Sequence, residues 1–138
     1  MNSTSPVEYI QQALACLYAS PHNFERRDNQ VRLMNDLRCV WGATGSQSKM
    51  AVCEADSGSG TSIAYLVSSI AVGLSTESQV VIVCVSPSKR SQILHSDWPI
   101  LQSLFSVSIT LREINEPSSY VCIERIRMTL AITMNHYN

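Results

Sequence analysis

Charge of either sign is scarce in this 138-residue chain: Asp, Glu, Lys and Arg make up 15% of it, against roughly 25% in an ordinary globular domain. Ten basic residues meet eleven acidic ones, for a net charge of −1. That balance argues against a general nucleic-acid binder, which carries a basic excess, and against an acidic DNA mimic. Glycine and proline number five each, too few for a low-complexity chain. The five cysteines, Cys16, Cys39, Cys53, Cys84 and Cys122, include no C-x-x-C pair and no histidine at zinc-ligand spacing. An odd count without such spacing predicts reduced, mostly buried thiols rather than a disulfide framework or a zinc site. The longest apolar run, around Ile63 to Leu74, is interrupted by Ser68 and Ser69 and is too short to span a bilayer. The expectation is a cytoplasmic protein without a membrane partner.

What the chain does have is a 45% hydrophobic content at one domain's length, enough for a core without staples. Val7, Ile10, Ala13, Leu14 and Leu17 recur at helical spacing after Ser3 and Ser5, either of which can cap a helix over about 6–19. Val31, Met34, Leu37 and Val40 predict a second helix over about 28–41. Residues 50–54 read as a short buried strand, followed by a glycine-rich turn and a helix over about 61–74. Residues 79–85 hold Val80, Val81, Ile82, Val83 and Val85, a continuous β-branched run of the kind covered on both faces in a parallel sheet. Helical segments are expected at 88–95 and 99–105, a third strand at 107–111 and a last helix from Ser118 to about Met134. Strands alternating with helices predict an α/β fold: a three-layer sandwich with a small, mostly parallel sheet, forming one domain over residues 1–138.

In such a fold the turn after the first strand is where backbone N–H groups and a helix N-terminus make an anion nest. A working phosphate loop reads G-x-x-x-x-G-K-S/T, with the lysine reaching the β- and γ-phosphates. Here Glu54-Ala-Asp-Ser-Gly-Ser-Gly-Thr-Ser62 retains Gly60 and the magnesium-binding hydroxyl at Ser62. Thr61 stands at the lysine position and Asp56 at the first glycine. A carboxylate about 4–6 Å from a phosphate costs about 3–4 kcal/mol at an effective dielectric near 20. The lost ammonium and the added repulsion together predict that the loop, offered no cation by its own chain, has no useful affinity for nucleotide at millimolar concentration and does not support hydrolysis.

Four segments in register resemble the DinG and XPD iron–sulfur helicases over about residues 24–125. Phe24, Arg27 and Gln30, followed by Val31 to Met34, are similar to the family's adenine-contacting segment. Glu54, Ala55, Gly58, Gly60, Ser62, Tyr65 and Leu66 fall in step with the family's phosphate loop. Gln92-Ile-Leu94 and Asp97-Trp-Pro99-Ile-Leu101 match the helix after its next strand. Ser119-Tyr120-Val-Cys122 resembles the segment bearing the first ligand of its four-iron cluster. The resemblance implies a partial RecA-like domain, and the departures imply a degenerate, truncated one. The phosphate-loop lysine is missing, no D-E-A-H box appears, and no further cluster cysteines follow Cys122. No cofactor is expected, since a four-iron cluster takes four cysteine ligands.

The functional expectation is therefore not an enzyme. It is a protein-interaction module acting as a decoy or inhibitor of a helicase or nucleoprotein complex, of a kind suited to a mobile element's anti-defence protein. Arg26, Arg27 and Trp98 are its candidate contact residues. The vestigial nucleotide-binding set is Arg27, Gln30, Gly58, Gly60, Thr61 and Ser62. Two alternatives stay open: a residual nucleotide or anion sensor using that set, and a single-stranded nucleic-acid accessory module, which the near-zero net charge disfavours. An open sheet edge would also suit a homodimer.

Overall fold

A computed structural model describes residues 4–20, 24–42, 49–56, 58–115 and 119–128. The chain forms two compact units, Met1–Ser108 and Ile109–Asn138. The first carries helices α1 (Pro6–Ala19), α2 (Asp28–Trp41), α3 (Thr61–Ser75), α4 (Pro87–Gln92) and α5 (Trp98–Leu104), with a π-helical turn over Ile93–Asp97 joining the last two. In the second, the described part of the expected final helix is residues 123–128, and the rest of it lies outside the described residues.

The helices form where capping and apolar spacing put them. Ser5 and Glu8 make a reciprocal capping box at the start of α1, with Ser5 N donating to Glu8 Oε2 at 2.7 Å and Glu8 N donating to Ser5 Oγ at 3.3 Å; this satisfies two backbone donors that the helix itself leaves orphaned. Ile10, Ala13 and Leu17 are the buried stripe of α1, and Gln30, Met34 and Leu37 that of α2. Helix α3 is apolar around most of its circumference, with Ala64, Leu66, Val67 and Ala71 at 0–1% exposure, and such a helix belongs in the middle of a core. It contacts α1, α2, α5 and the π turn. Its one buried hydroxyl, Ser68 Oγ, lies 2.8 Å from the Ala64 carbonyl oxygen and 3.0 Å from that of Met34, so a single proton ties α3 to α2. Leu101, Leu104 and Phe105 close the core from α5, where the Phe105 ring meets Tyr9 at 6.4 Å and a tilted 56°.

The π turn sits where Pro99 enters the helix. A proline ring collides with the carbonyl four residues before it, and the wider i→i+5 turn, closed by Trp98 N donating to the Ile93 carbonyl, relieves that contact.

The expected sheet is not there. Among the described residues no strand forms, and the architecture is helical rather than an α/β three-layer sandwich. Residues 49–56 and 78–84 run without regular structure and without ladder bonds. The β-branched run lies against α3 through one face: the Val80 side chain approaches so closely that a Cβ on Gly73 would lie 2.7 Å from it. Its other face is open, with Val81, Val83 and Val85 at 83%, 86% and 103% exposure. Continuous apolarity therefore did not mean cover on both faces. It encodes competence to pair, and pairing needs a second backbone about 4.8 Å away, which residues 49–56 do not provide. The cysteines also depart from expectation: Cys16, Cys39, Cys53 and Cys122 are exposed and Cys84 is half-buried. Among the described residues, no helix is long and apolar enough to cross a membrane.

Candidate functional site

The glycine loop that enters α3 is the most constructed feature of the first unit. Ser59 N donates to the Asp56 carbonyl at 3.2 Å, closing a turn. Gly58 and Gly60 then take φ values of 79° and 82°, the left-handed region that glycine enters without steric cost. Gly60 is required for a second reason: a Cβ there would sit 2.2 Å from Gln30 Nε2. The close approach is a clamp, because Gln30 Nε2 donates to the Gly60 carbonyl at 2.9 Å and the Arg27 guanidinium donates to the Gly58 carbonyl. Both partners come from the start of α2, so the loop is held by side chains some thirty residues earlier in the sequence.

Five of the six residues of the vestigial nucleotide-binding set are thus contiguous or directly bonded, and the sixth, Ser62, follows in the first turn of α3. Helix α3 has no side-chain cap, and Ala64 N is the first amide to find a backbone acceptor, at the Gly60 carbonyl. The preceding N–H groups of Thr61, Ser62 and Ile63 point out of the helix end, as helix geometry requires. The Thr61 hydroxyl is engaged with Ser59 Oγ at 2.8 Å. Arg27, Asp28, Asn29, Asp56, Gly58 and Ser59 line a depression of about 420 Å³ beside the loop, and the Asp56 side chain is exposed there.

Lys89 was not anticipated. It extends from α4 and its Nζ donates to Ser62 Oγ at 2.5 Å and to Gln92 Oε1 at 3.3 Å. Gln92 Nε2 in turn donates to Asp97 Oδ2 at 3.4 Å, and Asp97 is buried in the π turn. The chain therefore does bring a cation to the loop, 27 residues after Ser62, contrary to the reading of residue 61 alone. No spacing rule links a lysine on a later helix to a glycine loop, so only the packing reveals it. Tyr65, one turn into α3, also belongs to this cluster. Burial pushes its phenol above the ordinary value of 10.0; Cys84 and Asp97 add to the rise, and a hydrogen bond with Ser62 opposes it.

The other candidates are placed elsewhere. Arg26 Nε pairs with Asp28 Oδ1 at 3.3 Å on a solvent-facing bend. Trp98 is half-buried at the start of α5, a helix that does not touch α2.

The geometry is therefore that of a helical unit whose glycine loop is clamped by Arg27 and Gln30, with Lys89 hydrogen-bonded to the first turn of the helix that follows. The chain is similar to the 3'-5' exonuclease DinG of Bacillus subtilis (strain 168), with 27% identity over 115 residues, which are 83% of this chain and 12% of that protein. The chain thus spans about an eighth of that relative's length. No family model matches the chain, and no solved structure matches it. The similarity supports a distant DinG-like helicase relationship.

Proposed function

We propose that this chain is a non-hydrolysing, DinG-like interaction module that acts by covering a surface of a helicase or nucleoprotein complex, as a decoy or inhibitor. The observation that carries the reading is the open apolar face of its two extended segments. Met50 and Val52 are 87% and 88% exposed, beside Val81, Val83 and Val85. Between these segments and α2 and α3 runs a groove of about 580 Å³ lined by Leu33, Leu37, Trp41 and Val80 among others. A contiguous apolar surface of this kind marks a contact site, and unpaired backbone in an extended segment accepts an added strand. The near-absence of charge along residues 78–85, with no charged side chain among them, suits the same use. Thr61 at the lysine position supports binding without turnover.

The test is capture of a purified DinG-type helicase by the immobilised chain. The intact chain is expected to retain it, and a Val81→Lys/Val83→Lys variant to lose it. No retention by the intact chain removes the reading, as does phosphate release from Mg·ATP by the chain alone.

A second reading is favoured by a specific observation, the Lys89 ammonium on Ser62. It is that the loop still holds a phosphate-bearing anion without hydrolysing it, as a sensor. Calorimetry with ADP and with the Gly60→Val variant separates the two, since only the sensor reading expects heat that the substitution removes.

A further inference from the structure

We infer that the groove between the two extended segments is a slot for one strand. It takes a single extended, uncharged, β-branched segment of the partner protein, seated between residues 49–56 and 78–85 and hydrogen-bonded to their backbones. This inference rests on the capture reading above and names the chemistry of what is captured.

The first ground is shape. The groove has a helical floor, with Leu37 from α2 and Tyr65 and Val72 from α3, and Ala51 and Cys53 stand in one wall. Along the other wall residues 78–83 all reach it in succession. Successive side chains of an extended segment point to opposite faces, so a groove met by every residue lies against that segment's backbone edge rather than against one of its faces. The second ground is the backbone itself. Among the described residues neither wall carries strand pairing. The 78–85 wall nevertheless has the two-residue period of a strand, since Val80 and Ile82 are about half as exposed as Val81 and Val83. It is also fixed at its start, where Ser78 N donates to the Gly73 carbonyl at 2.9 Å and the Val80 side chain closes on Gly73. A wall already ordered loses little more freedom when a strand is added, and its main-chain groups supply the affinity.

The third ground is charge. None of the side chains lining the groove is charged. An ionised side chain inserted there would lose water and gain no counter-charge, so the electrostatic match is a neutral segment. Val80, Val81, Ile82 and Val83 line the wall, and β-branched cross-strand pairs are favourable neighbours for them. A second copy of this chain could offer its own β-branched run only by lifting it off α3 and giving up the Val80 seat at Gly73. The strand therefore comes from a different protein.

Fluorescence anisotropy of a labelled, end-blocked peptide of alternating threonine and valine, titrated with the full chain, tests this. Saturable binding is expected. Replacing the peptide's middle valine by proline removes one backbone donor and is expected to weaken binding about tenfold, the cost of one lost and one unsatisfied hydrogen bond. Glutamate at the same place should weaken it by at least as much, as should Ala51→Glu in the chain, with circular dichroism showing its helices intact. No binding of the valine peptide, or equal binding of the proline peptide, overturns the slot. Cys53 gives a second readout from the wall. Its alkylation by iodoacetamide, read by mass spectrometry against Cys16 on α1, is expected to slow when a purified DinG-type helicase is captured. Capture with Cys53 alkylated at its free rate overturns the slot and leaves the capture reading standing. Peptide binding without helicase capture supports the slot while the capture reading falls. Sedimentation of the chain alone as a dimer, with Cys53 alkylation slowing as concentration rises, assigns the slot to a second copy and overturns the partner strand.

Discussion

Single residues of the glycine loop carry most of its information. Gly60 answers two demands at once, a φ of 82° and space for the Gln30 amide. Gly60→Ala is expected to destabilise the first unit by about 1–3 kcal/mol, the usual cost of a non-glycine residue in a sparsely populated backbone region together with a local clash. Urea unfolding measures it. Removing the amide as well, in a Gln30→Ala/Gly60→Ala pair, should relieve the clash and leave the backbone cost, so the two changes should not add. Tyr65 offers a pH handle. Its folded-state value lies above 10.0, so the neutral phenol is favoured by folding. The unfolded chain therefore ionises first as pH rises, and the stabilisation, fully present below about pH 10, is lost progressively from there up to the folded value. A Tyr65→Phe variant should lack that alkaline loss, which thermal melts between pH 8 and 11 would show.

At the scale of elements, the helices were legible and the strands were not. Helix α1 was readable because its signals are local: a cap, a Glu three residues on, and apolar residues every third or fourth position. The same locality makes its start separable from the rest, and Ser5→Ala is expected to cost about 0.5–2 kcal/mol without altering the core, as a shift in thermal midpoint with unchanged helical signal at low temperature. Helix α2 was expected over 28–41 and lies there. The β-branched run from Val80 to Val85 is different. Its composition states a preference, but strand formation depends on a neighbouring backbone, and the segment instead rests on α3 at Gly73. The π turn was also invisible in advance, since the pattern on either side of Pro99 reads simply as two helical pieces.

At the scale of the whole molecule, the two readings of function live on different surfaces of the first unit. The apolar face of Val81 and Val83 is exposed, so Val81→Lys/Val83→Lys should leave the stability of the isolated chain within about 0.5 kcal/mol while removing partner capture. Loss of stability on the scale of a core substitution would mean instead that these valines are covered within the chain itself. The glycine-loop cluster lies at the head of α3, and variants there should leave capture unchanged. The distant similarity to DinG does not choose between the two surfaces, and each is tested by its own measurement.

From the sequence alone came the helices and the glycine loop, because helix periodicity, capping and left-handed turns are short-range properties of the chain. Arg27 and Gln30 were named through a resemblance, as the counterparts of adenine-contacting residues, and their bonds to the Gly58 and Gly60 carbonyls were not foreseen. Tertiary structure alone decided whether the extended segments find partners and which cation reaches Ser62. Both depend on what packing brings near, a backbone in one case and the Lys89 ammonium in the other, and neither distance is written in the order of the residues.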